Sequence, residues 1–311
     1  MPGVSVIVVS WNTRDLLRRC LQSVLSSPLV TEAFAVDNAS NDGSTEMVRT
    51  EFPKVTLIAN ETNLGFGRAN NLALSRARGE YVLLINPDAQ IEGSALERLV
   101  ASLERNPRAA MVGPLVLDAD GSVQSTRRRF PTTASLFVES TPLQQLLSPS
   151  HRILRDYYVL DRSDQVAQET DWLVGACLLV RRTALEQVPG FDERFFMYFE
   201  ETDWCRRFKQ AGWSVIFEPE AHARHLGGQS SEQVPIRRQC EFNESKCRYA
   251  RKWHGLSVSL ALRWFLFGAS TFQLAEESLK LALGHKREIR RARIGMWSDV
   301  VRWQAGRLLS T

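Results

Sequence analysis

The chain has 311 residues, 44% hydrophobic and 24% charged, a globular balance that excludes a disordered polymer and leaves room for two domains or one large α/β unit with additions. Its net charge of +4 is uneven: from Lys280 to Thr311 eight Lys/Arg stand against Glu288 and Asp299, a local +6 that leaves −2 for residues 1–279. The body is therefore no polyanion binder, nucleic acid is not expected as a partner, and attraction to an anionic surface falls to the tail. Five cysteines, with no C-x-x-C pair, indicate neither a disulfide framework nor a thiolate zinc site.

In chain order, VSVIVVS (4–10) is a continuous apolar, β-branched run of the kind found in strands covered on both faces. It follows Met1-Pro2 directly, with no basic or cleavage-site pattern of a secretory signal. Leu16, Leu17, Cys20, Leu21 and Val24 then keep helical spacing until Pro28. Strands are expected at 32–38, 54–60 and 81–88, and helices at 44–52, 67–78 and 94–106. This alternation predicts an α/β fold with a mostly parallel central sheet flanked by helices.

The rhythm changes after residue 110. Two strands around Asp120-Gly121 are expected in 111–125, whereas 126–170 shows no firm periodicity. WLVGACLLVRR (172–182) reads as a strand, 183–188 as a helical turn, FEETDWCRRFKQAG (199–212) as a helix and SVIFEPEA (214–221) as a last strand. From Leu256 onward the apolar spacing is helical, with Gly268 and Gly284 as interruptions. Such a tail suits a helix lying in a membrane interface with its basic end on anionic headgroups, a membrane span, or a helical hairpin packed on the catalytic domain or a second subunit. The expected division is 1–250, with halves 1–110 and 111–250, followed by a helical, basic, amphipathic extension over 251–311.

In an open parallel sheet, ligands gather at the carboxyl ends of the strands. Those ends carry Ser10-Trp11-Asn12, then Asp37-Asn38-Ala39-Ser40, then Asn60 and Asn63-Leu64-Gly65-Phe66-Gly67, then Asn86-Pro87-Asp88. Turn and cap chemistry explains any one of them. Their recurrence at all four ends points to a ligand. The phosphate-binding G-x-x-x-x-G-K-[ST] loop and the dinucleotide G-x-G-x-x-G turn are both missing.

The blocks VSVIVVSWN, VDNASNDGS, NLGFGRANN, GEYVLLINPDA, DWLVGACLLVRR, GFDERFFMYFEETDWCRRFKQAGW and ARHLGGQSS together resemble glycosyltransferase family 2, particularly its bacterial rhamnosyltransferase-like branch, over residues 3–231. The resemblance implies a GT-A fold with a Rossmann-like nucleotide-binding half, a nucleotide-diphosphate-sugar donor, Mg²⁺ or Mn²⁺, and inversion at the anomeric carbon. Carried over by position, Asp37 contacts the pyrimidine base, and Ser10, Asn12 and Asn38 line the nucleotide pocket. Asn63, Gly65 and Asn70 shape the donor side, Asn86 and Asp88 the diphosphate end. Asp88 and His225 hold the metal, with His222 the weaker competitor. Trp172 and Gly175 fall on the acceptor side; Trp172, Trp204 and Phe196 are either ring faces for a sugar or core.

Loss of a nucleoside diphosphate builds negative charge that a hard cation on one or two carboxylates neutralises. The acceptor hydroxyl needs a carboxylate base on the opposite face. That role falls to Glu200 or Glu201, with Glu201 in the slot of the family's usual second acid, an Asp. Asp203, the third acid of this catalytic group, has Arg206 and Arg207 at ion-pair spacing and would hold the helix in register. Asn86 replaces the first acid of the family's Asp-x-Asp, which suggests a deoxyribose donor such as dTDP-L-rhamnose. The expected product is a cell-surface polysaccharide or lipid-linked glycan, made in the cytoplasm at the inner face of the membrane, with a second copy of the chain among the partners considered. The alternatives are a UDP- or GDP-hexose donor, or a catalytically silent sugar-nucleotide-binding scaffold.

Overall fold

The computed structural model describes residues 3–229 and 231–308. They form two compact units, one drawn from residues up to Phe130 and from Tyr158 to residue 230, the other from Pro131–Tyr157 and from residue 231 onward. This differs from the boundary expected at 250, because the helix preceding that point belongs with the C-terminal helices.

The first unit opens with β1 (Val4–Ser10), α1 (Arg14–Leu25), β2 (Val30–Asp37), α2 (Ser44–Glu51), β3 (Thr56–Ala59), α3 (Phe66–Leu74) and β4 (Tyr81–Ile85). It continues with β5 (Ala89–Ile91), α4 (Ala95–Arg105), β6 (Ala109–Leu117), β7 (Val123–Gln124) and β8 (Arg127–Arg128). Helices α5 (Thr133–Val138), α6 (Pro142–Gln145) and α7 (Arg152–Tyr157) of the second unit come next in the chain. The first unit then resumes with β9 (Gln168–Thr170), β10 (Trp172–Leu173), β11 (Cys177–Arg181), α8 (Arg182–Gln187), α9 (Glu200–Gln210) and β12 (Ser214–His225).

The main sheet runs β3-β2-β1-β4-β11-β6-β12-β5, with β7 on β6 and β9 on β12. Strands β3, β2, β1 and β4 are parallel, β11 is antiparallel to both neighbours, and β12 is parallel to β6. Every residue of β1 is buried, as its unbroken apolar run requires. Register pairs Ser10 with Asp37, so the polar residues after β1, β2 and β4 share one sheet edge. All five cysteines are buried and unpaired.

Several elements differ from the sequence expectation for local reasons. Helix α3 stops at Leu74 rather than Arg78 because Glu32 captures the N–H groups of Arg78 and Gly79. The strand expected over 172–182 breaks at Val174–Ala176, where the Ala176 N–H folds back onto the Val174 carbonyl. β12 runs four residues past 221 through a register shift between Glu218 and His222, and this places His225 on the sheet.

In the second unit, α10 (Pro235–His254), α11 (Leu256–Ala282) and α12 (Arg287–Leu308) pack on one another. Gly268 does not break α11, whereas Gly284, at φ +82°, follows its last turn. Inside this unit Lys246 is fully buried, donating to the Glu139 carbonyl with that residue's carboxylate 3.4 Å away. Helix α11 is long and apolar enough to cross a membrane by length and composition. Ser230, at the end of the ARHLGGQSS block, lies outside the described residues.

Candidate active site

At the end of β2, Asp37 is 3% exposed; its Oδ2 accepts the Ser40 N–H at 2.9 Å while its Oδ1 is buried with no partner. A buried carboxylate oxygen left unsatisfied is costly unless a ligand donor meets it. Around it, the Asn12 N–H donates to Ser40 Oγ, Asn12 Oδ1 accepts the Asn41 N–H, and Ser10 Oγ lies 2.9 Å from Thr13 Oγ1. Asn38 bridges the Gly65 carbonyl and the Asn60 amide. Asn12 and Asn38 are thus committed to bracing the strand-end loops.

Gly65, at φ +83° and ψ −178°, occupies a region open to glycine. A Cβ there would stand 2.2 Å from the Phe196 carbonyl, which accepts the Phe66 N–H at 2.8 Å. Asn63 Oδ1 caps the turn by accepting the Gly65 N–H, and Asn70, buried in α3, donates to the Phe66 carbonyl. The next residue, Asn71, exchanges two bonds of 2.9 Å with the backbone of Phe191. Helix α3 is therefore stitched to the segment that leads into α9.

That segment enters α9 through Tyr198 and Phe199, both in the left-handed region at φ +70° and +65°. Two such aromatics in succession are strained, the kind of cost that persists where surrounding contacts impose it. The turn delivers Glu200 and Glu201 into the interior. Glu200 is 4% exposed with its Cβ-bearing face against Gly67, and Oε2 of each glutamate is buried without a partner. Burial, then the charge of Glu201, pushes the Glu200 carboxyl well above the ordinary range. Burial also raises Glu201, but the N–H groups of Thr202 and Gly175 and the Arg128 guanidinium oppose the shift. Glu201 is thus the member of the pair better able to ionise.

Asp203 has a different place. It is wholly buried and paired to Arg207 at 2.9 Å, and Arg207 in turn donates to the carbonyls of Pro189 and Gly190. It anchors α9, and Arg207 is its ion-pair partner four residues on. Trp204 is core, stacked between Phe191 and Phe208 with its indole N–H on the Pro189 carbonyl. Trp172 is buried as well, its N–H donated to the Arg129 carbonyl.

Asp88 and His225 are each 7% exposed, and His225 Nε2 lies 3.2 Å from Asp88 Oδ1. Asn86 Nδ2 is 3.3 Å from the same ring nitrogen. Gln124 Oε1 lies 2.8 Å from His225 Nδ1, while Gln124 Nε2 donates to Asp118 Oδ1 at 2.9 Å. The Asp118 carboxylate fixes the amide's orientation, so Nδ1 carries the proton and Nε2 presents its lone pair toward Asp88. Two donors at right angles on an ion about 2.1 Å from each stand about 3 Å apart, which this pair matches. Among the described residues no group of three or more His, Cys, Asp or Glu converges, so the pair suits a cation completed by diphosphate oxygens and water. His222 is exposed on the other face of β12.

The two halves of this site are tied by backbone. The Asn86 N–H donates to the Ala176 carbonyl at 2.9 Å, and the neighbouring Gly175 N–H reaches the Glu201 carboxylate. Gln124, Asn71 and Arg128 were not legible as site residues in the sequence; Arg128 belonged to a triple-arginine run with no periodicity around it.

Residues 5–188 match the family model Glycosyl transferase family 2. The chain belongs to this family and is a glycosyltransferase. It is 30% identical to the N-acetylglucosaminyl-diphospho-decaprenol L-rhamnosyltransferase of Mycobacterium tuberculosis over 285 residues, covering 85% of this chain and 89% of the relative. Identity with the rhamnosyltransferase WbbL of Escherichia coli K12 is 25% over 231 residues, 71% of this chain and 83% of that one. Among solved structures, the mannosyltransferase PcManGT of Pyrobaculum calidifontis, in complex with GDP-Man and Mn²⁺, superposes with a TM-score of 0.57 at 20% identity, covering 99% of this chain and 87% of that one. The fold is GT-A-like.

Proposed function

We propose that this enzyme transfers L-rhamnose from dTDP-L-rhamnose, with inversion and with Mg²⁺ or Mn²⁺, to a lipid-linked glycan that feeds a cell-surface polysaccharide. The observation that carries the reading is the backbone link, through Asn86–Ala176 and Gly175, between a cation-competent Asp88–His225 pair and Glu201, whose Oε2 is buried without a partner. Both rhamnosyltransferase relatives support the sugar, and the decaprenol-linked substrate in the name of one supports the acceptor class.

Residues 1–110 form the donor half, and the acceptor half comes from the rest of the first unit, 111–130 and 158–230. Asp37 Oδ1 accepts the ring N–H of the pyrimidine, with Ser10, Asn12 and Asn38 shaping that pocket. Asn63, Gly65 and Asn70 set the donor wall. Asp88 and His225 hold the divalent ion, which supplies charge neutralisation at the diphosphate. Asn86 stands where an acid would face a ribose hydroxyl. Glu201 takes the acceptor proton as the acceptor oxygen bonds to the anomeric carbon, and the carbon–oxygen bond to the diphosphate breaks with its electrons leaving on the nucleotide. Glu200 stays protonated beside it, and Trp172 and Gly175 support the acceptor side. The work takes place in the cytoplasm at the inner face of the membrane.

A mass-spectrometric assay with dTDP-L-rhamnose, UDP-sugars and GDP-sugars, each with Mn²⁺, Mg²⁺ or chelator, tests this. Turnover of dTDP-L-rhamnose only with metal is expected. Preference for a ribonucleotide donor would remove the rhamnose assignment, and donor binding without turnover would indicate a silent binder.

A further inference from the structure

Helix α11 has its charged side chains turned away from solvent or tied to partners. Arg263 pairs with Glu244 at 3.0 Å, Glu277 is buried between Arg290 and Arg293, and Glu276 pairs with Lys280. The most exposed positions of the same helix, from Leu256 to Ala282, carry no charge, and beside them Glu276 and Lys280, whose side chains are 37% exposed, neutralise one another as an i,i+4 pair. Where a water-facing helix surface normally concentrates its charge, this one shows Trp264 and Phe272, each 60% exposed, and Leu279 at 61%, continued by Leu283 at 67% just past the helix. Ala, Gly, Ser and Thr fill the positions between them.

The end of this face carries the opposite character. The turn into α12 exposes His285, Lys286 and Arg287, and Arg291 is exposed one turn later, with Ile289 among them. Uncharged surface bordered by clustered basic side chains is complementary to a bilayer with anionic headgroups. The helix's charged residues oppose a full span, since crossing would take Glu276, Glu277 and Lys280 into hydrocarbon.

We infer that the exposed face of α11, from Trp264 to Leu283, lies on an anionic membrane surface with the Lys286–Arg291 turn on its headgroups. This rests on the reading that the acceptor is lipid-linked, and it gives that reading a place: the enzyme is held where such an acceptor presents its sugar. The geometry calls for shallow, reversible docking strengthened by anionic lipid.

The test uses the full chain, without donor or acceptor, sedimented with vesicles of phosphatidylcholine alone or containing phosphatidylglycerol. Wild type is expected to bind the anionic vesicles and to be released by salt. Phe272→Glu with Leu279→Glu, at exposed positions and with folding checked by circular dichroism, should weaken partition to both vesicle types by more than tenfold. Lys286→Ser with Arg287→Ser and Arg291→Ser should remove about fivefold per side chain, from the anionic vesicles alone. The inference is overturned by wild type that stays in the supernatant, by a double glutamate variant that binds as wild type does, or by resistance to alkaline carbonate, which marks a span. It is also overturned if the double variant converts a dimer to monomer in sedimentation velocity while vesicle binding is unchanged, which would assign the face to a second copy. Since no sugar nucleotide is present, failure of the rhamnosyl-transfer reading leaves this result standing, and the reverse also holds.

Discussion

His225 Nε2 and Asp88 Oδ1 stand 3.2 Å apart on neighbouring segments of the sheet edge, with Gln124 Oε1 behind the ring at 2.8 Å from Nδ1. As the proposed ligand pair it has its own support, because Asp118 sets the Gln124 amide and the amide sets the imidazole. Supporting partners of this kind are typically worth about 10- to 100-fold in metal affinity. Gln124→Leu should therefore weaken Mn²⁺ binding by that factor, read by electron paramagnetic resonance of free Mn²⁺ in the presence of nucleoside diphosphate. Unchanged Mn²⁺ affinity in Gln124→Leu would place the cation elsewhere.

Glu201→Gln should keep donor affinity, measured by calorimetry, while turnover drops by about 10²–10⁴, the usual scale of a lost general base. Glu200→Gln should retain most activity, since a neutral amide replaces a carboxyl whose neutral form burial favours. The opposite ranking of the two variants would transfer the base role to Glu200.

The pH dependence follows from the same pair. Both carboxyls are raised, so kcat/KM should fall as pH drops through a value above the ordinary glutamate range, where Glu201 takes up its proton. Stability has a definite sign as well. Between the unfolded pKa of Glu200 and its raised folded value, the native state holds a proton that the unfolded chain has released, so this group's contribution shrinks as pH rises. Denaturation by urea across pH should show Glu200→Gln gaining on wild type from the ordinary carboxylate range upward, then levelling off once wild-type Glu200 ionises.

Gly65→Ala introduces a Cβ 2.2 Å from the Phe196 carbonyl at φ +83°. The strain is worth about 1–3 kcal/mol before the clash is counted, so thermal unfolding should move down by several degrees. Because the displaced segment leads directly into α9, the donor KM should rise as well. A stable, fully active Gly65→Ala would show that the α3–Phe196 contact is dispensable.

Breaking the Asp203–Arg207 pair should act on stability first. Asp203→Ala takes the carboxylate from Arg207, which keeps its bonds to the Pro189 and Gly190 carbonyls, and should cost about 1.5–3 kcal/mol, measured by chemical denaturation. Turnover per folded molecule should fall less than in Glu201→Gln, since Asp203 positions the helix and does not face the reacting groups.

Local pattern decided much of this protein by itself. The apolar run of 4–10 could only be a strand covered on both faces, and its alternation with helices through residue 106 made the parallel half of the sheet readable. The polar strand ends at Ser10, Asp37 and Asp88 were legible because side chains just past a strand have few places to go but the sheet's edge. The FEETDW segment was visible as an acid cluster on a helix, yet its sequence left Glu200 and Glu201 equivalent.

Tertiary structure separated them. Gly175 and Arg128 come from segments 26 and 73 residues away from Glu201 in the chain, and with the neighbouring Thr202 N–H they distinguish its environment from that of Glu200. The same holds for Gln124, which lies on a two-residue strand, and for the apolar exposed face of α11, beside which Arg263 and Glu277 are drawn inward by Glu244, Arg290 and Arg293 while Glu276 and Lys280 pair with each other. A sequence records which groups are near in the chain. Which donor satisfies which acceptor, and which charge is left without one, is settled only when distant segments exclude water from between them.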